Sequence, residues 1–255
     1  MRVGGPRSPA RLVGWVAIAA ALVWSARATD LSAGRLVEGL PFMLDFLRRM
    51  LPPDWSVAGH ALSGAVQTVE IALVGTAVAA ALALPLGFAA ARNAAPGWLF
   101  WGARLVLNAF RAIDTLVYAL FFVAAVGLGP FPGVLAVVAY TTTVLAKLYS
   151  EAIEAIDPGP VEAVRATGAP PVLVLRWGVL PQLLPQFLSF VLYRFETNIR
   201  AAAVLGFVGA GGIGFYIQTY LRMLNYPAAS TALLALIALV MIVDFASSRL
   251  RARLV

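Results

Sequence analysis

Residues 160–169 read PVEAVRATGA, a short stretch of charged and small residues set between two long apolar runs. Proline is favoured in the first turn of a helix, where its missing N–H is not needed. Val161, Val164 and Ala169 alternate with Glu162 and Arg165, and Gly168 follows as a stop signal, so the spacing predicts a short capped helix starting at Pro160. It sits within residues 150–180, a connection that also carries Glu151, Glu154 and Asp157, with Pro158 and Gly159 as breakers. A capped helix held between two apolar runs is a natural insert for a groove on a partner protein.

Outward from this segment the chain is apolar in both directions. Of its 255 residues 61% are hydrophobic and 12% charged, where a soluble domain keeps about 25% charged. Most of the surface is therefore expected to face lipid. About 20 apolar residues cross the hydrocarbon core as a helix, and that ruler marks six spans: residues 12–26, 61–91, 98–126 (interrupted by Arg111 and Asp114), 131–149, 185–207 and 228–245. Six spans leave both termini on one side. Arg2, Arg7, Arg11, Arg92, Lys147, Arg165, Arg176, Arg249, Arg251 and Arg253 then share that side, against Arg27, Arg35, Arg48, Arg49 and Arg222 on the other. The excess of positive charge predicts cytoplasmic termini. The first span follows three arginines in the manner of a signal peptide, but no clear small-x-small site follows it, so an uncleaved anchor is expected. Between the first two spans, Leu36, Leu40, Met43, Leu44, Leu47 and Leu51 recur at helical spacing opposite Glu38, Asp45, Arg48 and Arg49. This predicts an amphipathic helix, either in the outer interface or packed as an ordinary helix outside the membrane, ending at Pro52-Pro53.

Several function classes are excluded. There is no cysteine, and His60 is the one histidine, so thiol chemistry and a metal centre are not expected. The net charge of +7 is scattered, without the basic-aromatic surface of a nucleic-acid binder. No complete nucleophile, acid–base or metal set is present for a membrane enzyme. No glycine-rich loop ends in Lys-Ser or Lys-Thr. GAGGIG at residues 209–214 lacks a preceding strand, so Gly209, Gly211, Gly212 and Gly214 read as a tight, flexible outer turn.

The fifth span carries a polar stripe: Ser189, Tyr193, Glu196, Thr197 and Arg200 fall on one helical face. Ionisable residues in a membrane pair with one another or face a polar cavity. Glu196 and Arg200, four apart, have the spacing of a pair, as do Arg111 and Asp114, three apart. Two readings follow, a neutralised structural pair and the lining of a translocation path. The path reading is favoured by polar faces on other spans: Ser63, Gln67 and Glu70 on the second, Asn108, Arg111, Thr115 and Tyr118 on the third. An arginine left partly unneutralised would attract an oxyanion. Arg194 and Asn198 point off the stripe toward neighbouring helices, and residues 201–203, all alanine, permit close helix approach.

Glu162, Ala163, Gly168, Leu180 and Pro181 match the signature loop of permease subunits of binding-protein-dependent ABC importers, with Val164 and Gly178 departing from it. FRAIDTLV at residues 110–117, LPQ at 180–182 and above all RFETNIRAAAVLGFVGAGGIG at 194–214 resemble the phosphonate branch of that family, over roughly residues 31–255. The resemblance implies an all-α membrane fold, an N-terminal anchor (residues 1–60, with its outer amphipathic segment) and a five-helix type I, MetI-like permease core (61–248), followed by a basic tail (249–255). It implies that the coupling loop, with Glu162, Ala163, Arg165, Gly168, Leu180 and Pro181, docks an ATPase subunit which binds the ATP and Mg²⁺, this chain holding no cofactor. It further implies a second copy of the chain, a periplasmic or lipid-anchored binding protein, a bacterial inner-membrane location and a phosphorus oxyanion as cargo. The rival expectations are a permease for another solute such as methionine, and an ATP-independent channel or secondary transporter.

Overall fold

The computed structural model describes residues 9–30 and 32–254; Arg2 and Arg7, used above for orientation, lie outside them. All regular structure among the described residues is helical. Contacts divide the chain into two units, Met1–Arg49 and Met50–Val255. The first holds α1 (Pro9–Ala28) and α2 (Ala33–Arg49). In α2 the expected apolar stripe is present, with Arg49 Nε donating to Asp45 Oδ2 at 2.8 Å on the polar face.

The second unit begins at Met50, and the Asp54 backbone is bonded to the last helix: its N–H donates to Pro227 O and its carbonyl accepts from the Thr231 hydroxyl. A 3₁₀ turn, Trp55–Val57, leads into α3 (Ala58–Ala89). The unit continues through α4 (Gly97–Arg111), α5 (Thr115–Val126), α6 (Pro130–Glu154), α7 (Pro158–Ala166), α8 (Pro171–Val174), α9 (Leu180–Leu205), α10 (Ile213–Arg222) and α11 (Tyr226–Leu254).

The centre is α3 against α6 and α9. The buried face of α3 is built from small residues, among them Ala61, Gly64, Ala65, Ala72, Gly75, Ala79, Ala83 and Gly87. A Cβ on Gly75 would lie 2.5 Å from Val137 Cγ1, and one on Gly87 would lie 2.7 Å from Tyr149 Cβ. Small residues let α3 and α6 approach along their length, which is how helices associate where lipid supplies no hydrophobic drive. Most of the large apolar side chains of α3 point outward, Ile71 being buried: Leu73 is 55% exposed while Ala79 is fully buried. An exterior greasier than the interior suits lipid, not water.

Among the described residues, four runs are long and apolar enough to cross a membrane: Trp55–Ala89, Pro130–Glu154, the run Pro171–Arg222 that contains α9, and Tyr226–Leu250. The expected third span is interrupted where Arg111 and Asp114 stand, and its two parts are together long and apolar enough for one broken span or a re-entrant loop. It is two helices, α4 and α5, bent by 82° at a short break. At 15 and 12 residues each is about 18–23 Å long and too short to cross alone. Asp114 causes the break: it has extended backbone geometry and its Oδ1 accepts the Leu116 N–H at 2.8 Å as the N-cap of α5.

The fifth span also differs from expectation, since helix begins well before Pro185. α8 runs through a π-turn (Leu175–Val179) into α9, and both Pro181 and Pro185 lie inside the helical run. Pro181 cannot donate to Trp177 O and its ring crowds that carbonyl, so the turn before it widens, with Leu180 N–H reaching Leu175 O. α6 likewise extends to Glu154, whose carboxylate receives Arg104 Nη2 at 2.8 Å and the Arg92 N–H at 2.7 Å. The connection between α6 and α7 is thus far shorter than residues 150–180 suggested.

Candidate coupling helix and translocation path

α7 is the short helix expected from residues 160–169, begun two residues earlier. Asp157 caps it through Oδ1, which accepts the Gly159 N–H at 2.9 Å, so Pro158 and Gly159 start the helix rather than break the chain. Gly168 ends it with φ +74°, a left-handed conformation that side chains resist, and its N–H donates to Arg165 O. Val161 is the buried residue of α7 and seats on Gly178; a Cβ there would lie 3.0 Å from Val161 Cα. A bulky residue in place of Gly178 would push the helix away. Glu162, Ala163 and Arg165 face outward, and neither charge makes an ion pair among the described residues. Leu180 and Pro181 are also exposed, at the foot of α9. The structure therefore brings the signature residues to one end of the bundle with their polar faces free.

Along α9 the polar stripe divides. Tyr193 and Arg200 are exposed, Ser189 and Thr197 partly so, and Glu196 is buried. Thr197 turns its hydroxyl onto its own helix, donating to Arg194 O at 2.9 Å. Arg200 is held twice: Nη2 donates to Glu196 Oε1 at 3.0 Å, and Nη1 lies 3.1 Å from both carboxylate oxygens of Asp244 on α11. Two carboxylates face one guanidinium, so the cluster carries no surplus positive charge. Asp244 was missed in the sequence; a lone acid inside the last apolar run was the signal.

Arg111 and Asp114 do not pair, since Asp114 is committed to capping α5. Arg111 and Glu70 are both exposed, on α4 and α3, and form no ion pair among the described residues. They do not join the α9 cluster.

A second, buried polar network crosses the core. Asn198 Nδ2 donates to Thr76 Oγ1 at 2.8 Å, and Asn198 Oδ1 accepts from Thr141 Oγ1 at 3.1 Å and Arg194 Nη2 at 3.3 Å. Thr76 gives its own proton to Ala72 O, which leaves its oxygen to accept and fixes the amide's orientation. Arg194 also lies over the Tyr140 ring, 5.4 Å from its centre. Arg194 and Asn198 thus meet α3 and α6, as their position off the stripe implied.

The glycine turn is tight, and its backbone is bonded to α3. Gly209, Gly211 and Gly212 have φ +85°, +77° and +77°. The Gly212 N–H donates to Gln67 Oε1 at 2.6 Å and the Ile213 N–H to Thr68 Oγ1 at 2.9 Å. Gly214, in the first turn of α10, lies against the Ala203 carbonyl. Ala210 through Ile213 are buried between α3 and the start of α6. The low side-chain volume serves close packing as much as backbone freedom. His60 stacks on Tyr216 with ring centres 6.0 Å apart, a structural role.

Residues 83–255 match the family described as binding-protein-dependent transport system inner membrane component. The chain belongs to this family. A binding-protein-dependent inner membrane component is a transport subunit, which agrees with the apolar exterior and the exposed α7. The phosphite transport system permease protein PtxC of Stutzerimonas stutzeri is 43% identical, over 87% of this chain and 81% of that one. The phosphate-import permease protein PhnE of Mycolicibacterium smegmatis is 41% identical over 81% of this chain, though only 39% of its own length. Among solved structures, a chain of the inward-facing MetNI methionine ABC transporter superposes with a TM-score of 0.69, covering 79% of this chain and 99% of that chain at 24% identity. At that identity the likeness speaks for the fold, a MetI-like permease.

Proposed function

We propose that this chain is the membrane-spanning subunit of an ATP-driven importer for a phosphorus oxyanion: phosphonate, phosphite or phosphate. The observation that carries this reading is the outward face of α7, where Glu162, Ala163 and Arg165 stand free while Val161 seats the helix on Gly178 in the π-turn before α9. An ATPase subunit, holding ATP and Mg²⁺, would grip that face, and its closure would move α9. A binding protein would deliver the cargo at the opposite end. Both termini would be cytoplasmic by the distribution of arginine. The names of the relatives, phosphite and phosphate permeases, support the cargo class.

The path would run between two copies, lined by Ser189, Tyr193, Thr197 and Arg200, with Glu196 behind them and the free charges Glu70 and Arg111 turned to the path or the second copy. With Arg200 held by Glu196 and Asp244, an anion meets a polar but charge-compensated wall. Weak binding is what passage requires, since a tightly held solute does not leave.

The test is reconstitution of the chain with its cognate ATPase and binding protein in vesicles. Phosphite or phosphonate uptake that needs both partners and ATP is expected. Uptake of methionine instead would move the assignment to the amino-acid branch, and uptake without the ATPase would overturn the importer reading.

A further inference from the structure

We propose that Gln182 is a positioning residue that fastens α7 to the foot of α9, so that the two helices move as one body; this rests on the coupling role read for α7 above. Gln182 makes three hydrogen bonds with one side-chain amide. Its Oε1 accepts the Asp157 N–H at 3.0 Å, and its Nε2 donates to Asp157 O at 3.2 Å and to Gly178 O at 2.7 Å. Asp157 is the N-cap of α7, and its own carboxylate is engaged with Gly159. Both main-chain groups of the residue that opens α7 are therefore held by a side chain rooted in the first turn of α9.

The need for such a clasp follows from the chain's route. Between α7 and α8 the backbone passes through Gly168 and the Ala169–Pro170 link, a connection of few residues with a left-handed glycine. Directly before α9 lies the π-turn that Pro181 imposes, where the regular α-helical ladder is interrupted. A push on α7 would be lost by bending at either place. Gln182 spans both: it bonds the start of α7, and it bonds the Gly178 carbonyl inside the π-turn. The seat of Val161 on Gly178 supplies contact but no direction, whereas three hydrogen bonds fix orientation as well as distance.

Gln182→Met keeps side-chain length and helix propensity and removes all three bonds. Gln182→Glu keeps the acceptor for the Asp157 N–H and loses both donors. Each is assembled with the ATPase and binding protein, and three quantities are read: retention of the ATPase on purification, ATP hydrolysis, and phosphite taken up per ATP. Assembly and hydrolysis within about twofold of the parent, with uptake per ATP lowered about fivefold or more, are expected on cutting this hydrogen-bonded link. An unchanged uptake-to-hydrolysis ratio, or a parallel fall of both activities with assembly, would overturn the proposal. If the Met variant does not assemble, the Glu variant decides by the same ratio. Glu162→Lys is run alongside. If it uncouples and the Gln182 variants do not, the clasp alone fails; if neither uncouples, the coupling role of α7 fails with it.

Discussion

Gly75→Ala tests the close contact of α3 and α6 on which the fold depends. The added Cβ would lie 2.5 Å from Val137 Cγ1, 2.8 Å from Val137 Cβ and 3.6 Å from Val134 O. Val137 is fully buried and β-branched, so in a helix it has one strongly preferred rotamer and cannot swing aside cheaply. Either the valine leaves its rotamer or the helices separate. Overpacking of this kind costs about 1–3 kcal/mol. For a unit of this size that is a fall in Tm of about 2–12 °C. The control is Gly59→Ala on the same helix, where a Cβ meets nothing within 4 Å and the gain in helix propensity should show instead. Thermal unfolding of the detergent-purified protein is the assay. Val137→Ala removes the 2.5 Å contact but keeps its own Cβ at 2.8 Å, so it should restore part of the loss and the two substitutions should be non-additive. A Gly75→Ala protein as stable as the Gly59→Ala control, or strictly additive effects with Val137→Ala, would refute the packing argument.

Thr76→Val leaves Asn198 Nδ2 without its acceptor in the core and should cost about 1–3 kcal/mol, read as a lower Tm. Asp114→Ala removes the cap of α5 and should cost about 1 kcal/mol; an unchanged Tm would mean that packing, not the cap, holds the α4–α5 bend. Asp244→Asn strips one carboxylate from Arg200 while keeping shape. It should leave assembly intact and slow oxyanion uptake by strengthening retention in the path, a result seen as a lower kcat with a lower KM; unchanged uptake kinetics would separate this cluster from the path.

The spans built on continuous apolar runs were legible because hydrophobicity over about 20 residues is a one-dimensional signal. α7 was legible for a similar reason, since caps and glycine stops are local. The α4–α5 bend was half visible. Arg111 and Asp114 marked an interruption, but whether a charge pairs within a helix or caps the next one depends on backbone geometry that spacing does not state. The start of α9 was misplaced because Pro185 read as a boundary, while the helical run in fact holds both Pro181, accommodated by the π-turn, and Pro185. Arg200 was found, but its second partner lies 44 residues away on α11. The Thr76–Asn198–Thr141 network is likewise assembled from three helices, and single threonines in apolar runs carry no register of their own.

The attachments of α9 differ in how easily they can yield. At its foot it carries α7 through Gln182; 26 residues, about 39 Å, separate that end from the glycine turn. Asn198 ties it to α3 and α6 with a side chain 1% exposed, and breaking such a bond leaves a polar group stranded in the core. Arg200 ties it to α11 through side chains 44% and 43% exposed, an ion pair at the surface of the helices and not in their core. On the proposed coupling role, a force applied through α7 would part the Arg200–Asp244 pair before the buried Asn198 network, although α9 also packs against α11 along its length. On that reading the Arg200–Asp244 pair is the attachment of α9 that should give first when the protein changes shape, since parting it strands no buried polar group.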